Sequence, residues 1–184
     1  MLKGERVLLR PMQQEDIARQ HAFNQDVQLA GLECRTARPA PLEKAQAFYE
    51  MRVKPADHLA PFAIEAEGQY IGHCELWNVG DRYGNLALTI SIGARACWGK
   101  GYGREVVRLL LGYGFHYLGA RRIHLEVQAK NERALRCFRA CGFVEEGRLR
   151  KEVWVEGEYT DLVRMSLLGE EWAASEKEAA YVAR

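Results

Sequence analysis

The feature that most constrains this chain is a glycine-spaced turn, Trp98-Gly-Lys-Gly-Tyr-Gly103, set between a strand pattern and a helix pattern. Upstream, Leu86-Ala-Leu-Thr-Ile-Ser-Ile92 alternates, with Leu86, Leu88, Ile90 and Ile92 pointing one way and Ala87, Thr89 and Ser91 the other. Downstream, apolar residues recur at helical spacing from Arg104 to Leu118. A strand that passes through glycines into a helix start leaves several backbone N–H groups without intrahelical partners, at the end where the helix dipole is positive. Phosphate oxygens are natural occupants of such a place. Gly101 and Gly103 carry no Cβ, so a pyrophosphate can approach the backbone, and either residue can take a positive φ. The turn predicts a phosphate-bearing cofactor.

The remaining patterns arrange themselves around this turn. Before it come a strand at Arg6–Arg10 stopped by Pro11, a helix from Gln14 to about Phe23, and an irregular stretch from Asn24 to Pro41 with Gly31, Pro39 and Pro41 as breakers. A helix over Leu42–Lys54 follows, with Ala45, Phe48, Tyr49 and Arg52 along one partly apolar side. The long 24–54 region reads as one wall of an acceptor site. Phe62–Ala66 and Tyr70–Trp77 form a hairpin around Glu67-Gly-Gln69, and a polar loop, Val79–Asn85, leads to the central strand. After the turn, Arg122–Gln128 is a second alternating strand, which makes the strand–helix–strand unit a right-handed parallel crossover. Asn131 caps a short helix from Glu132 to Ala140, closed by Gly142. Phe143–Glu145, Leu149–Val155 and Glu158–Leu168 close the fold, with Glu156-Gly157 as the last hairpin turn. The expected organisation is one domain over residues 1–168, with a charged, alanine-rich tail at 169–184.

Several functional classes lose support. Lys and Arg number 26 against 25 Asp and Glu, a formal net charge of +1, which gives no general electrostatic pull toward nucleic acid or anionic membrane. No apolar run is long enough to span a bilayer, and Met1-Leu-Lys-Gly-Glu5 lacks a signal peptide's apolar core, so a cytoplasmic location is expected. The five cysteines, Cys34, Cys74, Cys97, Cys137 and Cys141, show no CxxC spacing and read as small buried hydrophobes, so no metal is expected. His73, His116 and His124 are isolated and read as structural.

The order of strand, Gly101-x-Gly103 at a helix start, second strand, and Asn131-x-x-Ala134-x-x-x-Phe138-x-x-x-Gly142-Phe143 resembles the GNAT superfamily of acyl-CoA-dependent N-acetyltransferases. Leu9-Arg10-Pro11 is similar to the family's opening. Glu146-Gly-Arg148 with Gly157-Glu-Tyr-x-Asp161 and Met165 resembles the branch containing ribosomal-protein N-terminal and spermidine acetyltransferases. The resemblance implies a mixed α/β (α+β) fold: a mostly antiparallel sheet of about seven strands, about four helices, and central strands that splay apart. It implies acetyl-CoA as cosubstrate, its pyrophosphate on the amides of Gly99, Lys100, Gly101, Tyr102, Gly103 and Arg104, and pantetheine along Ile90, Ser91 and Ile92. Trp98 stands where the family has Gln or Arg, which removes a side-chain donor. Lys100 and Arg104 add positive charge nearby, although each reads more often as a solvated side chain than as a ligand. Asn131 matches the family asparagine near the pantetheine arm, and is also a plain helix cap.

For the chemistry, the resemblance implies direct attack of an amine on the thioester in a ternary complex, which requires a base because an ammonium has no lone pair. Glu75 on the strand before the cofactor strand is the first candidate, Glu126 the second and Glu33 the third. The family's tyrosine, which protonates the departing thiolate, is replaced by Phe138, which can pack against pantetheine or in the core. Cys137, Ser91 and Tyr159 remain as substitutes. Glu33, Trp77 and Tyr159 are expected around the acceptor, a polyamine, a protein N-terminus or another small amine. A homodimer is plausible for the family. Two other readings stay open here: a GNAT-like fold that binds CoA without turnover, and a Rossmann-type nucleotide module, disfavoured because the glycine turn follows several strands.

Overall fold

The computed structural model describes residues 1–34, 41–53 and 57–182. Its strands are β1 (Leu2–Lys3), β2 (Val7–Arg10), β3 (Leu59–Ala66), β4 (Gln69–Trp77), β5 (Asn85–Ile92), β6 (Arg122–Gln128), β7 (Val144–Val155) and β8 (Glu158–Leu168). They form one eight-stranded sheet in the order β1-β2-β3-β4-β5-β6-β8-β7. Every neighbouring pair is antiparallel except β5 and β6. The helices are α1 (Asp16–Asn24), α2 (Val27–Leu32), α3 (Leu42–Val53), α4 (Tyr102–Gly112), α5 (Glu132–Arg139) and α6 (Gly169–Val182).

Helices cover both faces of the sheet, as alternation along β3 shows: Ile64 enters the main core, while its neighbour Ala63 packs with Met12, Tyr70, Phe23, Phe48 and Tyr49 on the other side. On the main-core face, α4 buries Val106, Val107, Leu110 and Leu111 completely. Their i, i+1, i+4, i+5 spacing is the apolar stripe that the helix pattern predicted. The 67–69 hairpin forms as expected, with Glu67 and Gly68 both at positive φ (53° and 71°), as a tight turn matching the strand twist requires.

The structure departs from expectation in a few places. The 24–41 region is not all irregular, since α2 lies within it, capped by Asp26, whose Oδ1 accepts from the Leu29 amide at 3.0 Å. Gly31 is a packing residue here and not a breaker: a Cβ on it would stand 2.9 Å from Cγ1 of Val155 in the β7–β8 hairpin. Pro39 and Lys54, named above as a breaker and a helix end, lie outside the described residues. Residues 143–155 yield one long strand, β7, with irregular register between Glu145 and Gly147 and between Leu149 and Val153. The predicted 104–118 helix is α4 followed by a π-helical turn at Tyr113–Tyr117.

One feature of the sheet positions both halves of the site. β5 and β6 pair only from Asn85↔Arg122 to Ala87↔His124, although β5 continues to Ile92 and β6 to Gln128. Beyond that point β5 stays on β4, up to Ile92↔Gly72, and β6 stays on β8, up to Gln128↔Leu162. The sheet opens as a V between its two parallel strands, as the resemblance implied.

Candidate active site

The glycine turn caps the open end of the V. Gly99 and Gly101 adopt positive φ (76° and 89°), and Gly101 is the N-cap of α4. Gly103 lies in ordinary helical backbone, where a Cβ would stand 3.6 Å from Cδ1 of Ile92, so its value is close approach to the end of β5. The first intrahelical bond of α4 runs from the Glu105 amide to the Gly101 carbonyl, at 3.3 Å. The amides of Tyr102, Gly103 and Arg104 therefore have no intrahelical acceptor and form an anion-binding end. Lys100 and Arg104 are exposed beside it.

Side chains from distant parts of the chain brace this cradle. Arg6 donates from Nη1 to the Lys100 carbonyl (2.8 Å) and from Nε to Oε2 of Glu105 (3.2 Å), while Glu105 Oε1 accepts from the Arg6 and Val7 amides (2.8 and 3.2 Å). The Arg6 guanidinium also lies 5.4 Å from the Tyr102 ring centre, and the Tyr102 hydroxyl donates to Oε1 of Glu67 at 2.6 Å. Trp98 donates from its indole N–H to the Ile92 carbonyl at 2.7 Å, with the Arg133 guanidinium 3.6 Å from its ring centre. The residue that replaces the family's Gln or Arg thus ties the end of β5 to the turn. Asn131 caps α5, accepting from the Ala134 amide at 3.2 Å. Phe138 is buried, edge-on to Phe143 at 5.8 Å between ring centres. Cys137, beside Gly103, is held below the usual thiol range by a hydrogen bond with Cys141 and by Arg104 and Arg133, against the effect of its burial.

The residues fit CoA. Ile90 and Ile92 are half-buried where β5 has left β6, so an apolar, unpaired strand edge faces the V. Gly103, in the first turn of α4, comes close to the Ile92 side chain at the end of that strand. Amide groups of pantetheine and the oxygens of a pyrophosphate match those two surfaces in that order.

The second half of the site lies on the helix-α3 face. Glu75 on β4 is only 2% exposed. Its Oε1 accepts from Nη2 of Arg52 on α3 at 2.9 Å and from the Trp77 indole N–H at 3.1 Å, whereas Oε2 has no hydrogen-bond partner among the described residues. Burial pushes the Glu75 carboxyl above the usual carboxylate range, opposed by Arg52 and the Trp77 hydrogen bond. Cross-strand partners share a face, so the register places Thr89 beside Glu75, Ser91 two residues further along β5, and Glu126 across the V on β6. Ser91 is buried and donates to Oε1 of Glu33 at the end of α2. Glu126 is partly exposed and paired with Arg164, whose Nε lies 3.0 Å from its Oε1. Tyr159 is exposed at the β7–β8 hairpin end, 4.7 Å from Trp154 between ring centres, where Val155 approaches α2.

The structure thus gathers Glu33, Glu75, Ser91, Trp77 and Glu126 on one face around the V. Arg6, Arg52 and Arg133 complete the two halves without having been singled out from the sequence. Arg52 had a legible signal, a cation four residues after Phe48 on the partly apolar side of its helix. Arg6 and Arg133 had none, because their partners lie far away in the chain.

A helix start with free backbone amides, a V between two parallel strands, and a buried carboxylate on the adjoining strand suit an acyl-CoA-dependent transferase. The Acetyltransferase (GNAT) domain family matches residues 6–144, and the chain belongs to that family. It is 26% identical to the spermidine N(1)-acetyltransferase of Escherichia coli K12, over 96% of this chain and 94% of that one. It is 36% identical to a putative ribosomal N-acetyltransferase of Bacillus subtilis over 40% of each chain. Among solved structures, the spermidine N-acetyltransferase of Vibrio cholerae in complex with CoA and spermine superposes with a TM-score of 0.82 at 26% identity, over 92% of this chain and 99% of that one. The protein is an acetyl-CoA-dependent amine N-acetyltransferase, and neither the non-catalytic nor the Rossmann-type reading is favoured. Among the described residues, no helix is long and apolar enough to cross a membrane, and no group of three or more His, Cys, Asp or Glu is placed to hold a metal ion.

Proposed function

We propose that the acceptor is a linear polyamine and that Glu75 takes the proton from its attacking amine. The likeness to spermidine acetyltransferases over nearly the whole chain carries the choice of acceptor. The acidic face supports it, because a chain of ammonium groups needs carboxylates along its path, and Glu33, Glu75 and Glu126 surround the V.

An alkylamine with a pKa of about 10.4 is protonated at neutral pH and must lose a proton before it can attack. Glu75 offers Oε2, an acceptor with no competing partner among the described residues, in a dry site where its raised proton affinity makes it a better base than an exposed carboxylate. Bound acetyl-CoA supplies the acetyl group as an activated thioester. The free edge of β5 at Ile90–Ile92 is the source of backbone donors toward the charge that develops on the carbonyl oxygen. Phe138 has no hydroxyl to give the departing sulfur, and a thiol of pKa about 8.5 leaves acceptably as the thiolate. The exposed outer strand β7, with Val144, Leu149 and Trp154, is the surface we assign to a homodimer, which sedimentation tests.

The acceptor reading is tested by free-thiol release from acetyl-CoA with spermidine, spermine, putrescine, an N-terminal peptide and an aminoglycoside. Saturable release with the polyamines is expected. Release with the peptide or the aminoglycoside alone would overturn the choice of acceptor.

A further inference from the structure

We propose that Arg52 is a positioning residue that reserves one oxygen of Glu75 for the acceptor amine and keeps that carboxylate ionised. The inference rests on the reading of Glu75 as the base.

The asymmetry of the carboxylate carries it. A carboxylate has two oxygens, each able to accept two hydrogen bonds. At Glu75 both protein donors go to Oε1, Arg52 Nη2 at 2.9 Å and Trp77 Nε1 at 3.1 Å, and none reaches Oε2 among the described residues. The side chains of Arg52 and Glu75 are 5% and 3% exposed, so the pair is shielded from bulk solvent. Arg52 is itself seated: its guanidinium lies 3.4 Å from the Phe48 ring centre, and Nη1 donates to the Phe48 carbonyl at 3.5 Å. With Oε1 occupied, Oε2 is the acceptor left for an N–H, and because Oε2 is itself buried the acceptor amine must displace part of its cover to reach it.

The local charges point the same way. A carboxylate buried without a cation takes up a proton and ceases to be a base, whereas a guanidinium in contact favours the ionised form. Among the described residues, Arg52 is the cation in hydrogen-bond contact with Glu75. On β4, Cys74 is buried on the opposite face and His73 lies two residues away, edge-on to Phe48. Cross-strand, Pro61 of β3 and Thr89 of β5 carry no charge. Tyr70 donates its hydroxyl to Gln20 of α1, and Glu33 at the end of α2 brings negative charge to Ser91. Among the described residues Arg52 is thus the cation that favours the ionised form of Glu75, and the seating of α3 becomes part of the catalytic apparatus.

The experiment is the pH dependence of kcat/KM for polyamine acetylation by the wild-type protein, Arg52→Gln, Arg52→Lys, Trp77→Phe and Glu75→Gln, with thermal melting of each. Arg52→Gln is expected to move the acid limb up by about one to three pH units, the range an opposite charge at contact distance commands. Its KM for acetyl-CoA should be unchanged. Arg52→Lys should restore part of the shift. Trp77→Phe, which keeps an aromatic ring and loses one N–H, should move the limb the same way by less, and if Arg52→Gln does not fold, the limb of Arg52→Lys, expected above that of wild type, decides the question. Acid limbs that stay in place in Trp77→Phe and in folded Arg52→Gln would overturn the inference, leaving Arg52 a stabilising ion pair. Full activity in Glu75→Gln would instead overturn the base assignment itself, a distinct failure.

Discussion

At the start of α4 the groups we propose for cofactor binding are backbone amides, ordered by the left-handed Gly101 and by helix geometry; at Glu75, the proposed base, they are buried side chains drawn from α3 and β4. The two halves share one sheet and meet at the V between β5 and β6, yet they differ in what holds them. The backbone cradle needs no particular side chain except the absent one at Gly101, and it is braced from outside by Arg6 and Trp98. The carboxylate site depends on each of its members, because a buried charge tolerates the loss of a partner poorly. The first half is conformationally specified, and the second electrostatically.

Substitutions separate the two halves. The largest effect is expected at Glu75→Gln, which keeps the shape and removes the base: turnover with a polyamine should fall by about 10²–10⁴-fold while CoA affinity holds. Loss of CoA binding in that variant would mean that the halves are not separable. Next comes Gly101→Glu, where a residue with a Cβ at φ 89° costs about 1–2 kcal/mol of backbone strain. The new side chain also meets the Arg6 guanidinium at 3.0 Å and puts negative charge beside the amides. Calorimetry should record a large loss of CoA affinity, and an unaltered dissociation constant would rule out the cradle as the pyrophosphate site.

Smaller changes test the links between the halves. Asp26 caps α2 and pairs with Arg95 at 2.7 Å, just before the glycine turn. Its replacement by Ala should cost about 1 kcal/mol of stability, read by denaturant melts. Hydrogen bonds from Arg95 hold its pKa down, from 3.8 to about 2, so the contribution of the ionised carboxylate is fully present above pH 3.8 and disappears as pH falls through about 2. A stability difference between wild type and Asp26→Ala that stays constant down to pH 1 would contradict that pairing. The smallest effect belongs to Arg6→Ala: its ion pair is half exposed and contributes at most about 1 kcal/mol, so folding should barely change, with slightly weaker CoA binding as the turn loses its brace.

What could be read from the sequence divides along the same line. The cradle was legible because strand, glycines and helix are contiguous and backbone chemistry follows from their order. The hairpin at 67–69, the cap at Asn131 and the splayed central strands were legible for similar local reasons, or through the family pattern. Contacts between distant residues were not: Arg6 meets Glu105 across 99 positions, and nothing in the motif around Trp98 announces that its indole would hold the Ile92 carbonyl. α2 escaped because Gly31 looks like a breaker until Val155, from the far hairpin, is seen to need the space. Glu75 was named from its strand, but its value as a base depends on which of its oxygens is free, and that is set by Arg52, 23 residues away on another element.

The central claim is that this cradle delivers an acetyl thioester to a polyamine whose proton is taken by Glu75. Its most direct measurement is the initial rate of free-thiol release from acetyl-CoA with spermidine, as a function of pH, in wild type and Glu75→Gln. The expected result is one thiol released per acetylated polyamine, a wild-type rate that falls on the acid side as Glu75 protonates, and near-complete loss of that pH-dependent rate in the variant. Equal rates and identical pH profiles for the two proteins would contradict it.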